Sequence, residues 1–323
     1  MNSFGRIFRV SIIGESHGEY VGVVMDGCPA GISLLPEDFF ADLERRKAGA
    51  KGTTPRKEDD IPEIVSGVFN NMATGAPITI LFKNNNTRSG DYEKQKAVPR
   101  PGHADFVASK KFKGFQDYRG GGHFSGRLTV ALVAAGVVAK KILGQIKIES
   151  KILEIGGETD LNKGLQKAID AKDSVGGIIE CRVNGLPIGV GEPFFDSAES
   201  LISHAVFAIP AVRAIEFGTG FAAAKMFGSK HNDAIENTEG KTTTNHAGGI
   251  VGGLTNGNEL VFRIAIKPTS STPQQQQTLN LESGEIESFS IKGRHDLCIA
   301  LRVPVVLEAA TAIVLADLLL LSK

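Results

Sequence analysis

Residues 128–146 read LTVALVAAGVVAKKILGQI. For about four turns this segment is apolar on almost every side, so a helix here has no face to offer to water and must be buried all round. A second stretch of the same kind, 303–321, reads VPVVLEAATAIVLADLLLL. It is long enough to cross a bilayer, but Glu308 and Asp317 lie inside it, and each costs about 2.5–3.5 kcal/mol near a bilayer centre. A second buried core helix is the better reading. Two such helices need cover. Strands are predicted at 6–13 (RIFRVSII), 176–183 (GGIIECRV) and 259–266 (ELVFRIAI), and at 63–69 and 77–82 as a hairpin joined by NNMATGA. Helices are predicted at 36–47, opened by Pro36 and closed by Arg45, Arg46 and Lys47, and at 197–208 with Asp196 or Ser197 as cap. Helices packed against sheets give an α+β class. Strict βαβ alternation is not evident, and GxGxxG and GxxxxGK[ST] do not occur.

The chain has 323 residues, with Lys plus Arg at 36 and Asp plus Glu at 36, so the net charge is zero. A neutral chain carries no broad electrostatic footprint for nucleic acid or an anionic membrane, and neither is expected as a partner. Cys28, Cys181 and Cys298 are too few and too far apart for a disulfide framework or a CxxC metal site, and no metal is expected. The first residues lack the apolar core of a signal peptide. A soluble cytoplasmic protein is the expectation. The polar stretch 87–98 and the glutamine run at 274–277 read as exposed loops.

Several glycine-rich segments concentrate polar side chains. They are 14–18 (GESHG), 100–105 (RPGHAD), 117–127 (DYRGGGHFSGR), 267–271 (KPTSS) and 293–296 (GRHD). Imidazoles suit proton transfer near neutral pH. The 117–127 segment runs straight into the first apolar helix, and helix N-termini flanked by arginine bind anions. Each segment alone also fits a bland loop or cap. Together they describe an enzyme or binder for small molecules carrying more than one anion, and there the residues by themselves stop.

The ordered set resembles the chorismate synthase family over nearly the whole chain, 1–323, as a single domain. The resemblance rests on GRIFRVSIIGESHGEYVGVVMDGCPAGI, IVSGVFNNMATGAPI, TRSGDYEK, PRPGHADF, DYRGGGHFSGRLTVALVAAGVVAKKIL, GLPIGVGEPFFD, IPAVRAIEFGTGF, GSKHNDA, TNHAGGIVGG, KPTSS and GRHDLCIALRVPVVLEAATAIVLADLL. It implies a β-α-β sandwich with long central helices between antiparallel sheets, assembled as a homotetramer. The implied reaction converts 5-enolpyruvylshikimate 3-phosphate to chorismate and phosphate by trans-1,4-elimination, within aromatic amino acid biosynthesis, the shikimate pathway. It requires reduced FMN, with NADPH as an external reductant acting through a separate flavin reductase.

By position, the resemblance implies that Asp296 removes a proton from flavin N5, His103 protonates or hydrogen-bonds the reduced ring, and His17 helps the phosphate leave. Ser16 and Ser125 match relay serines. Arg45, Arg46, Lys51, Arg119, Arg127 and Arg302 would neutralise the substrate's phosphate and carboxylates, and Arg46 also lies in the stretch associated with a nicotinamide nucleotide. His123, Phe124, Ser125, Ala211 and Gly252 match FMN contacts, as do Lys267, Pro268, Thr269, Ser270, Ser271 and Arg294. A non-catalytic flavin binder and a flavin-independent phosphatase are the rivals from other classes.

Overall fold

The computed structural model describes residues 2–54, 58–86, 96–291 and 295–322. The chain opens with β1 (Ser3–Phe4), β2 (Arg9–Gly14) and β3 (Tyr20–Asp26). Helix α1 (Phe40–Arg46), entered through a 3-10 turn at Pro36–Phe39, leads to β4 (Glu63–Ser66), β5 (Val68–Phe69), β6 (Met72–Ala73) and β7 (Ile78–Lys83). An antiparallel sheet forms in the order β1-β2-β3-β7-β4. The 63–69 and 77–82 segments do pair, but the link between them is not a plain loop. β5 and β6 make a small hairpin of their own, turned by Asn70 and Asn71, both at positive φ (48° and 61°). Asn tolerates that conformation because its short amide can bond locally.

Beyond α2 (Asp105–Lys111), the predicted core helix is α3 (Thr129–Leu143), ended by Gly144 at φ 66°. Then follow β8 (Lys147–Ile155), α4 (Leu161–Ala171), β9 (Gly177–Asn184), α5 (Ala198–Val206) and β10 (Val212–Phe217). Ser197 caps α5, accepting the Ser200 N–H at 3.1 Å, while Asp196 pairs with Arg6. A turn between β11 (Ile250–Val251) and β12 (Leu254–Thr255) precedes β13 (Leu260–Ile266). The second antiparallel sheet runs β10-β13-β9-β8. Half of the glutamine run is not a loop: Gln274 and Gln275 lie outside regular structure, but Gln276 and Gln277 open β14 (Gln276–Leu279), which pairs with β15 (Ile286–Phe289). Cross-strand backbone bonds satisfy its main chain, so polar side chains can stay in water. Most of the 87–98 stretch lies outside the described residues.

The last helix, α6 (Pro304–Leu321), packs against α3, and the pair lies between the two sheets. α3 backs onto β3 and β7, and α6 backs onto β8 and β9. The β-α-β sandwich is therefore the observed architecture. The helices touch at Gly136, where an added Cβ would stand 2.3 Å from the Ala309 Cβ and 2.5 Å from its Cα. Only a residue without a side chain permits that approach.

The two acids that spoiled a membrane reading of α6 are buried and fully engaged. Glu308 accepts both ends of the Arg45 guanidinium (2.7 and 2.6 Å), the Lys140 ammonium (3.2 Å) and the Ser150 N–H (3.0 Å). Asp317 accepts the backbone N–H groups of Arg6, Ile7 and Phe8 at 2.7–3.0 Å. Those three donors are spent on a carboxylate, so the strand predicted from residue 6 begins at Arg9.

Candidate active site

A cleft of about 520 Å³ opens where the N-terminal ends of α3 and α6 meet. Ser125, Gly126 and Arg127, in the turn that enters α3, line it with Thr129, and Ile299, Arg302 and Val303, in the turn that enters α6, line it with Val306. Two helix N-termini aimed at one space favour negative charge there.

Its floor is built around one carboxylate. Asp60, buried and at φ 51°, receives Arg46 on Oδ2 and Arg127 on Oδ1. Arg127 also donates from Nε to Asn84 Oδ1 at 2.8 Å. Burial alone would raise the Asp60 carboxyl, but the two guanidiniums hold it below the usual range. Burial pushes both arginines down, and Asp60 opposes that. Arg46 Nε is buried with no partner among the described residues.

One wall carries Asp296, whose Oδ1 accepts the Thr54 N–H (2.8 Å) and whose Oδ2 accepts Arg302 (3.2 Å). Arg302 in turn donates from Nε to the Arg46 carbonyl at 2.9 Å. His295, next in sequence, is pushed down to about 4 by burial, with Arg100 and His103 adding to the effect and Asp296 opposing it. It is therefore neutral near pH 7.

The opposite rim joins two distant turns. Arg100 NH1 donates to Ser271 Oγ at 3.1 Å, and Ser270 Oγ donates to the Gly102 carbonyl at 2.7 Å. Lys267 Nζ donates to Ser270 Oγ at 2.7 Å, and burial, then Arg213, lower its pKa. Thr269 lines the cleft with its Oγ1 buried and, among the described residues, unpartnered. Phe207, Ile209, Pro210 and Ala211 form an apolar wall; Ala211 sits at φ 75°, a strained conformation for a residue with a side chain.

The glycine run supplies close approach. Gly120, Gly121 and Gly122 all have positive φ. A Cβ on Gly120 would stand 2.5 Å from the His17 ring and 3.0 Å from Ser16 Oγ. His17 and Ser16 are buried directly behind this cleft-lining glycine. His123 Nδ1 lies 2.8 Å from the Gly14 carbonyl, to which it donates, so Nε2 is its other nitrogen.

The cleft thus gathers Arg46, His103, His123, Phe124, Ser125, Arg127, Ala211, Lys267, Thr269, Ser270, Ser271, Asp296 and Arg302 from the sequence candidates. Other candidates stand elsewhere. Arg45 is bound to Glu308, Arg119 forks onto Asp117, Lys51 donates to Gln166 at 3.0 Å, and Gly252 sits in the β11–β12 turn. Pro268 does not line the cleft, although its carbonyl accepts Lys267. Arg294 lies outside the described residues. Sequence reasoning missed Asp60 and Thr54, whose partners come from other elements. It quoted Arg100, Asp105 and His295 only as members of motifs.

A family model described as chorismate synthase matches residues 8–320. The chain belongs to the chorismate synthase family. A chorismate synthase of Chitinophaga pinensis is 70% identical over 324 residues, covering 100% of this chain and 98% of that protein. One from Dehalococcoides mccartyi is 45% identical over 351 residues, covering 99% and 96%. A crystal structure of chorismate synthase superposes with a TM-score of 0.76 at 26% identity, covering 99% of this chain and 93% of that one. The cleft is the natural place to look for this family's chemistry.

Proposed function

We propose that this chain is a carbon–oxygen lyase that converts 5-enolpyruvylshikimate 3-phosphate to chorismate and phosphate by trans-1,4-elimination, with reduced FMN bound in the same cleft. The observation that carries the reading is the meeting of His103, His123, Asp296 and the KPTSS rim over a floor of arginines, in a cavity of ligand size. Membership of the chorismate synthase family agrees with it.

The residues present suit a flavin mononucleotide. The apolar wall from Phe207 to Ala211, with Ile299 and Val306, is a surface for a flat ring system. Lys267, Ser270 and Thr269, whose Oγ1 lacks a partner among the described residues, are donors for a phosphate or a ribityl chain. When bound, a reduced flavin supplies the electron density that a side-chain base cannot bring to the poorly acidic C6 hydrogen. The chain's own groups orient, neutralise and handle protons. Arg46, Arg127 and Arg302 face the substrate's phosphate and carboxylates, already held by Asp60 and Asp296, so little reorganisation is needed on binding. His17, buried behind Gly120 and off the cleft in this conformation, would serve as the acid for the departing phosphate once the glycine run shifts, with Ser16 beside it and the cleft-lining Ser125 as proton relays. Asp296 is the proton acceptor toward the cofactor side, and His103 the imidazole opposite it. His123, Phe124, Ser271 and Arg294 complete the cofactor contacts.

The same reading includes a homotetramer in the cytoplasm, with reduced FMN delivered by a separate reductase at the expense of NADPH. Arg45, Lys51, Arg119, Pro268 and Gly252 are proposed to serve ligand binding only through rearrangement or assembly, since in this conformation they stand off the cleft.

Anaerobic incubation with the phosphorylated substrate, with and without reduced FMN, tests the proposal. Chorismate is expected only with reduced flavin. Phosphate release without flavin would falsify the reading in favour of a phosphatase. Flavin binding without turnover would leave a non-catalytic binder.

A further inference from the structure

His103 reaches the cleft with a carboxylate behind it. Its Nδ1 stands 2.6 Å from Asp105 Oδ1. The same carboxylate accepts Arg100 Nε at 2.7 Å, Arg100 NH2 at 2.8 Å and the Arg100 backbone N–H at 3.1 Å. Asp105 does not line the cleft. It lines a separate cavity of about 60 Å³, to which His103 also contributes, together with Gln116, Asp117 and Tyr118. We infer that Asp105 is a positioning residue: it fixes the Nδ1–H tautomer of His103, leaving Nε2 as the acceptor nitrogen of the ring, and holds Arg100 against Ser271 on the rim.

The competition around Nδ1 gives the inference its force. Arg100 NH2 also stands 3.0 Å from that nitrogen. A guanidinium can only donate, so if Arg100 claimed Nδ1 the proton would have to move to Nε2. Asp105 prevents this by occupying Arg100 with its two oxygens and accepting from Nδ1 itself. Burial would raise the Asp105 carboxyl, yet Arg100 and His103 hold it far below the usual carboxylate range. It stays ionised, so it orients the ring without taking its proton, and the tautomer is set by the hydrogen bond that the far nitrogen makes. Proximity in sequence makes the arrangement stiff. Pro101 and Gly102, the latter at φ 68°, turn the chain so that residues 100, 103 and 105 converge.

The role rests on reading the cleft as the chorismate synthase site, but the tautomer can be measured apart from the reaction. The ligand-free protein, labelled with 15N-histidine and assigned with His103→Asn, is expected to show the neutral His103 ring protonated at Nδ1. Asp105→Asn leaves one acceptor oxygen for four donors, and Asp105→Ala leaves none; in both, Arg100 is expected to take Nδ1 and the proton to appear on Nε2. With the phosphorylated substrate and reduced FMN, Asp105→Asn should lower kcat about 10²-fold, the scale of one misplaced acid–base group, while KM stays within about threefold. Asp105→Glu keeps the charge and should keep the wild-type tautomer and recover activity to within about tenfold. An unchanged tautomer in the Asn and Ala variants overturns the inference, and so does a Glu variant no better than Asn. A fall of kcat accompanied by a large rise of KM and a fall of melting temperature would mark Asp105 as scaffold only and also overturn it. If the wild-type chain makes no chorismate, the proposed reaction fails while the tautomer result still stands.

Discussion

Buried charge in the seam between α3 and α6 and buried charge in the cleft at their N-terminal ends follow different rules. In the seam, Glu308 and Asp317 are acids among aliphatic side chains, and each is saturated by donors from other elements. Their work is to tie α1 and the first turn of the chain to the core. In the cleft and its rim, Arg46, Arg127 and Arg302 are shared between Asp60 and Asp296, Arg100 is held by Asp105 from outside it, and Arg46 Nε and Thr269 Oγ1 lack partners among the described residues. Saturation gives a scaffold, whereas leftover hydrogen-bonding capacity beside a cavity gives a place for a ligand.

Removing the central carboxylate of each region is the hardest test of that contrast. Asp60→Ala would strand two buried guanidiniums, a loss of roughly 3–5 kcal/mol, and should also abolish most turnover in whatever remains folded. Full activity per folded molecule, read by titrating denaturation beside a chorismate assay, would make Asp60 another scaffold acid. Asp317→Ala leaves the amides of Arg6, Ile7 and Phe8 without their acceptor. A cost of about 3 kcal/mol is expected, with kcat per folded molecule unchanged. A selective fall in kcat would erase the distinction between the regions.

Glycines sharpen the comparison. Gly136→Ala drives a methyl into the Ala309 backbone and should cost about 1–3 kcal/mol in thermal unfolding, without altering kinetics. Gly120→Ala meets the His17 ring instead. Its left-handed backbone costs only about 1 kcal/mol, but kcat should fall roughly 10²-fold because His17 is displaced. If the two variants behaved alike, the cleft glycines would be ordinary packing.

The smallest effect concerns pH. His295 has its folded pKa depressed from 6.5 to about 4, so the unfolded chain takes up a proton first as the solution is acidified. Its stabilising contribution is present above pH 6.5 and is lost progressively down to about pH 4. Between pH 6.5 and 5.5 the loss should be about 1 kcal/mol, and His295→Gln should flatten the melting-temperature profile there. An identical profile in the variant would mean that His295 does not feel the cleft's burial and its neighbouring cations.

Much of the architecture was legible because hydrophobic pattern is a local property. The all-apolar runs at 128–146 and 303–321 demanded burial on every side, and the strand periods demanded sheets to cover them. The motifs marked which loops carry imidazole, guanidinium and hydroxyl groups. Their partners were not legible. Nothing in the order of residues says that Asp60 lies between Arg46 and Arg127, that Glu308 takes Arg45 out of the candidate set, or that Asp317 reaches back to residue 6. Those pairings join residues as much as 311 positions apart. They exist because a buried charge must find its complement wherever the fold brings one within hydrogen-bond reach, a condition set by tertiary packing and invisible to local pattern.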